Sequence, residues 1–324
     1  MTTLSPSKAL SASRIKMLQS CSWQYFCRYH ISLPDTTNSG AQRGTVCHLV
    51  FELLLEPRHR NHYNLIIEAN SIVGSKAINR LIKKHVKKVS LTEEDYQLID
   101  EMILVGLKHD FYCKGGEIVE PEYKFTIENE SPKYKITGFI DKPVIYKKEG
   151  IISIKDYKSS KKRFSGEDLE VNVQAMLYSL AAKSLWPDLK PVVEFIFLRF
   201  PKKPIQQLEF SDAQLRGFAI TLEKLNEIIN KFSEKDAKSN FAADKDGMRW
   251  LCKAGATYEC PFYRKFAYFA VVDSEGKILK TAFNKNELKA QSGQTVMEKQ
   301  YDGCPRHAIN SDNEKQTTDD PFDF

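Results

Sequence analysis

Two carboxylates and a lysine stand at the ends of neighbouring apolar runs. Gly138-Phe139-Ile140-Asp141 ends in one acid, and Ile152-Ser153-Ile154-Lys155-Asp156-Tyr157-Lys158 carries a second acid with an ammonium group two residues on. A buried strand normally runs into a turn residue, not a charged cluster. Two acids can hold a hard divalent cation such as Mg²⁺ or Mn²⁺, and a lysine beside them can hold or deprotonate a water. That set of groups suits cutting a phosphodiester. Gln174 and Tyr178 are four residues apart and share one helix face, as do His48 and Glu52 further upstream. Each residue also has a plainer reading taken singly. Asp141 is a turn former, His48 a hydrogen-bonded core histidine, Gln174 and Tyr178 a packing face, and Glu52 an ion-pair partner.

The elements that must position these groups follow from periodicity. Ser13 caps a helix running to about Tyr29, a second helix runs from Arg43-Gly44 to Glu56, and residues 75–87 form a basic amphipathic helix. Acids at Glu93, Glu94 and Asp95 open another, where the helix dipole favours them. From Ile118 the period changes to two. Strands are predicted over Ile118–Ile127, Tyr134–Asp141, Val144–Tyr146, Ile151–Tyr157, Val192–Phe200 and Ile205–Phe210. Helices are predicted from Asp168 to Ser184 and, after the Ser211–Gln214 capping box, to Phe232. A hairpin is predicted around Asp273–Gly276. This order implies an α/β core with a central mixed sheet flanked by helices. The predicted divisions are an N-terminal helical region (1–115), the core (116–240), a cysteine-containing region (241–308) and an acidic, disordered tail (309–324).

The 324 residues suffice for one large domain or two smaller ones. The N-terminus lacks a secretory layout and no apolar run spans a bilayer, so a cytoplasmic protein with no membrane partner is expected. Net charge is +6, but five acids against one lysine after Ile309 make the tail −4, leaving +10 elsewhere. A basic body favours a polyanionic partner or is simply solvated. Lys83, Lys84, Lys87 and Lys88 line one helix, and Lys161-Lys162-Arg163 follow Lys158 directly, well placed to draw in a phosphate backbone.

The ordered set Gly44-x3-His48, Gly138-Phe-Ile-Asp141, Asp156-Tyr-Lys158 and Gln174-x3-Tyr178 resembles the PD-(D/E)XK nuclease superfamily. It looks like the RecB/AddB branch, which includes CRISPR-associated RecB-like iron–sulfur exonucleases. Ser11-x-Ser13-Arg14-Ile15 followed by Cys21-x3-Tyr25 is similar to that branch's opening motif. The resemblance spans roughly residues 11–265. It implies a restriction-endonuclease-like core with Asp141, Asp156, the Tyr157 carbonyl and His48 on a metal. It implies Lys158 on the attacking water, and Gln174 and Tyr178 as orienting or substrate-contacting groups. Glu122 is a further candidate carboxylate. The implied activity is an exonuclease on single-stranded or end-containing DNA in recombination, repair or phage-type DNA metabolism. The alternatives are an inactive nuclease-fold binding module, or a structure-specific endonuclease or nickase within a larger complex.

Seven scattered cysteines in a cytosolic chain point to free thiols or metal ligation rather than disulfides. The resemblance implies a 4Fe-4S cluster on Cys21, Cys252, Cys260 and Cys304, with zinc the alternative for four thiolates and lost ligation the third reading. The chain departs from the family pattern in two respects. Seven residues separate Cys252 from Cys260, and Cys304 lies beyond the predicted hairpin. Cys27 is an alternative to Cys21, while Cys47 and Cys113 read as packing thiols. The tail, ending Asp319-Asp320-Pro-Phe-Asp-Phe324, is similar to tails that dock on replication or recombination proteins, or is a solubilising end.

Overall fold

Ile151–Lys158 is buried at five of its eight positions and fully exposed at none, which marks it as an interior strand. The computed structural model describes residues 9–36, 38–254 and 258–307; the acidic tail lies outside them. The helices are α1 (Ala12–Ser20), α2 (Ser22–Tyr25), α3 (Ser39–Leu55), α4 (Arg60–Ala69), α5 (Lys76–Lys88), α6 (Glu93–Lys108), α7 (Glu167–Glu170), α8 (Val173–Leu185), α9 (Asp212–Lys231) and α10 (Glu234–Ala237). The strands are β1 (Glu117–Ile118), β2 (Tyr123–Glu130), β3 (Lys133–Ile140), β4 (Lys142–Tyr146), β5 (Ile151–Lys158), β6 (Lys190–Phe197), β7 (Ile205–Leu208), β8 (Lys253–Ala254), β9 (Tyr258–Glu259), β10 (Phe266–Val272), β11 (Ile278–Ala282) and β12 (Thr295–Tyr301).

Contacts divide the chain into two units. The larger comprises Ala9–Ala12 and Thr37–Asn226, so α3 to α6 share a unit with the sheet. Its five-stranded sheet has the order β1-β4-β5-β6-β7. The β5–β6 pair is parallel and the other three are antiparallel, giving the mixed sheet that the alternation predicts. The strands β2 and β3 form a separate hairpin, whose far edge takes a bridge from Leu10 to Ile136. The core joins α3 and α6 to the sheet through Phe51, Ile103, Tyr157 and Ile196, all buried.

Among the described residues, the smaller unit is made from Ser13–Thr36 and the chain from Glu227 to His307. Its core packs Trp23, Phe26 and Cys27 with Phe241, Phe262, Tyr268 and Tyr301. The three-stranded sheet β11-β10-β12 contains the predicted hairpin at Asp273–Gly276.

Three predicted elements are interrupted. The helix from Ser13 to Tyr29 breaks at Cys21, which is extended (φ −153°, ψ 108°) because the Ser22 amide bonds to the Asn240 carbonyl at 2.8 Å. The strand Ile118–Ile127 divides at Glu122, which adopts φ +52°. The helix Asp168–Ser184 restarts at Asn172, whose side chain caps the Ala175 amide at 3.0 Å.

Candidate active site

The site grows from the parting of β3 and β4 beside β5. Lys142 pairs with Lys155, so Asp141, one residue earlier, falls beside the end of β5. The Tyr157 amide donates to Asp141 Oδ2 at 2.7 Å, fixing that carboxylate. From midway along α3 the His48 ring reaches the same place. Its Nδ1 lies 3.4 Å from Glu122 Oε1 and 3.4 Å from Asp141 Oδ1, and its Nε2 lies 3.2 Å from the Tyr157 carbonyl. Glu122 reaches in from the turn before β2 that its positive φ creates. Gly44, one helical turn before His48, lets α3 approach β5's end: a Cβ there would meet Ser159 Oγ at 2.8 Å.

Asp156 is 2 % exposed and faces a second set of partners. Lys158 Nζ sits 2.5 Å from its Oδ2, and Gln174 Nε2 donates to its Oδ1 at 2.9 Å. Lys158 also donates to Gln174 Oε1 at 2.8 Å. The Tyr178 hydroxyl lies 3.0 Å from Asp156 Oδ1 and 2.7 Å from the Phe139 carbonyl, sharing its one proton between them. Asp156 Oδ2 has the Lys158 ion pair and no further hydrogen bond among the described residues.

Electrostatics follow from this crowding. Burial raises Asp141, the Asp156 charge raises it further, and His48 only partly offsets them, leaving it at about 6. For His48, burial opposes the charge, but hydrogen bonds to Asp141 and Glu122 outweigh it and lift the imidazole to about 10. Burial and the neighbouring carboxylates push the Tyr178 phenol well above its usual value, so it stays a donor.

His48, Glu122 and Asp141 offer ligand atoms within 4.8 Å of one another, so these three residues could hold a metal ion. An open cavity of about 910 Å³ is lined by His48 and Glu122 of this group, and also by Lys158, Ser160, Lys161 and Arg199. His48, Asp141, Asp156, Tyr157, Lys158, Gln174 and Tyr178 therefore fall in one neighbourhood. Asp156 stands apart from the three-ligand group, held by Lys158, Gln174 and Tyr178. Glu52 lines the cavity one turn past His48 and makes no ion pair among the described residues, so the expected salt bridge is absent there. Arg199 lies in no motif and Phe139 lies in one without a role of its own; both emerge as cavity residues only from the geometry.

The sequence profile of the PD-(D/E)XK nuclease superfamily matches residues 9–262, which contain every one of these groups. The chain belongs to that superfamily. Its chemistry is divalent-metal-dependent hydrolysis, and the superfamily fold agrees with the mixed sheet and its flanking helices. The structure is similar to a Eubacterium rectale protein described as a "putative exonuclease", with 11 % identity, a TM-score of 0.47, and coverage of 78 % of this chain and 91 % of that one. No curated protein sequence matches the chain. No helix among the described residues is long and apolar enough to cross a membrane.

This superfamily member also gathers four cysteines in its smaller unit. Cys21, Cys252, Cys260 and Cys304 line one small apolar cavity. Cys21 is brought there by the α1–α2 break, and the Cys260 amide bonds to the Cys252 carbonyl at 2.8 Å. Gln24 Nε2 donates to Cys260 Sγ at 3.0 Å. Burial, together with the neighbouring sulfurs, raises Cys260 and Cys304 to about 11. No three of the four sulfurs lie within 4.8 Å of one another, whereas tetrahedral zinc draws its sulfurs to about 3.8 Å apart. Cys27 instead lies 3.6 Å from the Tyr301 hydroxyl in the aromatic core.

Proposed function

We propose that the protein is a RecB-like, Mg²⁺- or Mn²⁺-dependent deoxyribonuclease, an exonuclease on single-stranded or end-containing DNA serving recombination, repair or phage-type DNA metabolism. The observation that carries this reading is the gathering of His48, Glu122 and Asp141 within metal-ligand reach of one another, beside an open cavity lined by His48, Glu122 and the Asp156-paired Lys158. His48, Asp141 and Glu122, with the Tyr157 carbonyl beside them, would hold the cation, and Asp156 supplies a further carboxylate. When bound, it supplies Lewis-acid polarisation of a phosphoryl oxygen.

The chain's own groups do the rest. Lys158 orients the attacking water and offsets charge building on the phosphate. Gln174 and Tyr178 hold Asp156 in one orientation through Oδ1, leaving Oδ2 to Lys158. Lys161 and Arg199 on the cavity wall grip the flanking phosphates without regard to sequence. In the smaller unit Cys21, Cys252, Cys260 and Cys304 would hold a 4Fe-4S cluster, a structural clasp on that unit.

Digestion of end-labelled linear and covalently closed circular DNA tests the reading. The expected result is Mn²⁺- or Mg²⁺-dependent loss of linear single strands with circles untouched, and loss of activity by about 10²–10⁴-fold in Lys158→Ala. Nicking of circles would instead identify an endonuclease. A folded wild-type protein inert towards both, with either cation, would sink the hydrolytic reading.

A further inference from the structure

Phe139 is 53 % exposed although it lines the cavity that holds the proposed metal ligands. Its neighbours in the strand are placed as alternation requires, with Ile140 fully buried. The backbone under Phe139 is unusually well fixed. Its carbonyl accepts from the Tyr178 hydroxyl at 2.7 Å, and Tyr178 in turn touches Asp156. On the other side Gly138 lies so close to Phe125 that a Cβ would meet the ring at 2.8 Å. A fixed backbone therefore presents an aromatic ring to water at a set distance from the reacting carboxylates. Directly across the hairpin from Phe139 is Lys124, also exposed, and residues opposite each other share one face of a sheet. An aromatic ring beside an ammonium group is the pairing that recognises one base and its phosphate.

We propose that Phe139 is a base-stacking platform that, with Lys124 on the backbone, selects DNA offering an unstacked nucleotide beside the scissile phosphate. Inside a duplex both faces of each base are covered by neighbours, so no face is free to meet the ring. A single strand, or the frayed last nucleotide of an end, offers one. This rests on the deoxyribonuclease reading, and it assigns that reading's preference for single strands to a named side chain.

The test separates binding from turnover. Wild-type protein, Phe139→Ala, Phe139→Leu and Phe139→Trp are titrated, without divalent metal, into a single-stranded oligonucleotide carrying 2-aminopurine, whose fluorescence is quenched on stacking. Wild type and Phe139→Trp should quench. Phe139→Ala and Phe139→Leu should lose the quench and bind roughly ten-fold more weakly. With Mn²⁺ present, the same two variants should lose kcat/KM on single strands about as much, and much less on blunt duplex. Leu keeps the apolar bulk without the π-face, so Leu behaving as wild type overturns the proposal even where Ala does not fold. Unchanged quenching in Phe139→Ala overturns it equally. Quenching that depends on Phe139 in a wild-type protein that never cleaves would retain the platform and remove the nuclease reading.

Discussion

His48 and Asp141 both bind protons more tightly than free side chains do, and a cation entering between them must displace those protons. His48 is lifted to about 10 and Asp141 to about 6. Affinity for Mn²⁺ should therefore rise with pH by about ten-fold per unit between about 6 and 10, where only His48 has a proton to release, and more steeply below about 6, where Asp141 holds one too. Calorimetric titration in buffers of different ionisation enthalpy counts the protons; zero release would show that the cation avoids this pair. His48→Ala should weaken Mn²⁺ binding by roughly 10–100-fold and flatten the pH dependence. At this scale the motif residues were legible because acid and lysine spacing survives in linear order. Glu122 was legible only as a candidate, since its reach depends on a positive φ that no neighbouring glycine announces. Phe139 was invisible: a phenylalanine within Thr137–Asp141 reads as core by composition, and only its actual exposure says otherwise.

Strands and helices were legible wherever the hydrophobic period was unbroken, as in β5 and α9. The interruptions were not, because distant partners cause them. Nothing near Cys21 signals that the Asn240 carbonyl will capture the next amide. One element contact carries a testable cost. Gly106 on α6 faces Phe51 of α3 so closely that a Cβ would lie 2.3 Å from the ring. Phe51 is 2 % exposed and its ring centroid lies 4.3 Å from that of Tyr157, so it has nowhere to yield. Gly106→Ala should gain up to about 1 kcal/mol in helix propensity but lose about 1–3 kcal/mol to overpacking. A net fall in Tm is expected, with activity reduced as well, since Tyr157 carries the amide and carbonyl that position Asp141 and His48. A stabilised Gly106→Ala would mean α3 shifts freely away from the sheet.

For the molecule as a whole, composition and charge pointed to a basic, globular protein, but the pairing of its first and last described segments was legible only through the cysteines. Cys260→Ala tests what they hold. Broad visible absorbance in anaerobically purified protein should disappear in the variant and Tm should drop, whereas a colourless wild type with stoichiometric zinc would replace the cluster reading. The same pairing has a consequence for how the protein is made. Trp23 Nε1 donates to the Tyr301 hydroxyl at 2.8 Å, across 278 residues of chain. At about 5–20 residues per second on a ribosome, Trp23 and Phe26 emerge tens of seconds before their partners exist. Through that interval the nascent chain carries a bare aromatic segment, an invitation to trigger-factor-like holdases, and any premature stop before Tyr301 would leave it permanently uncovered.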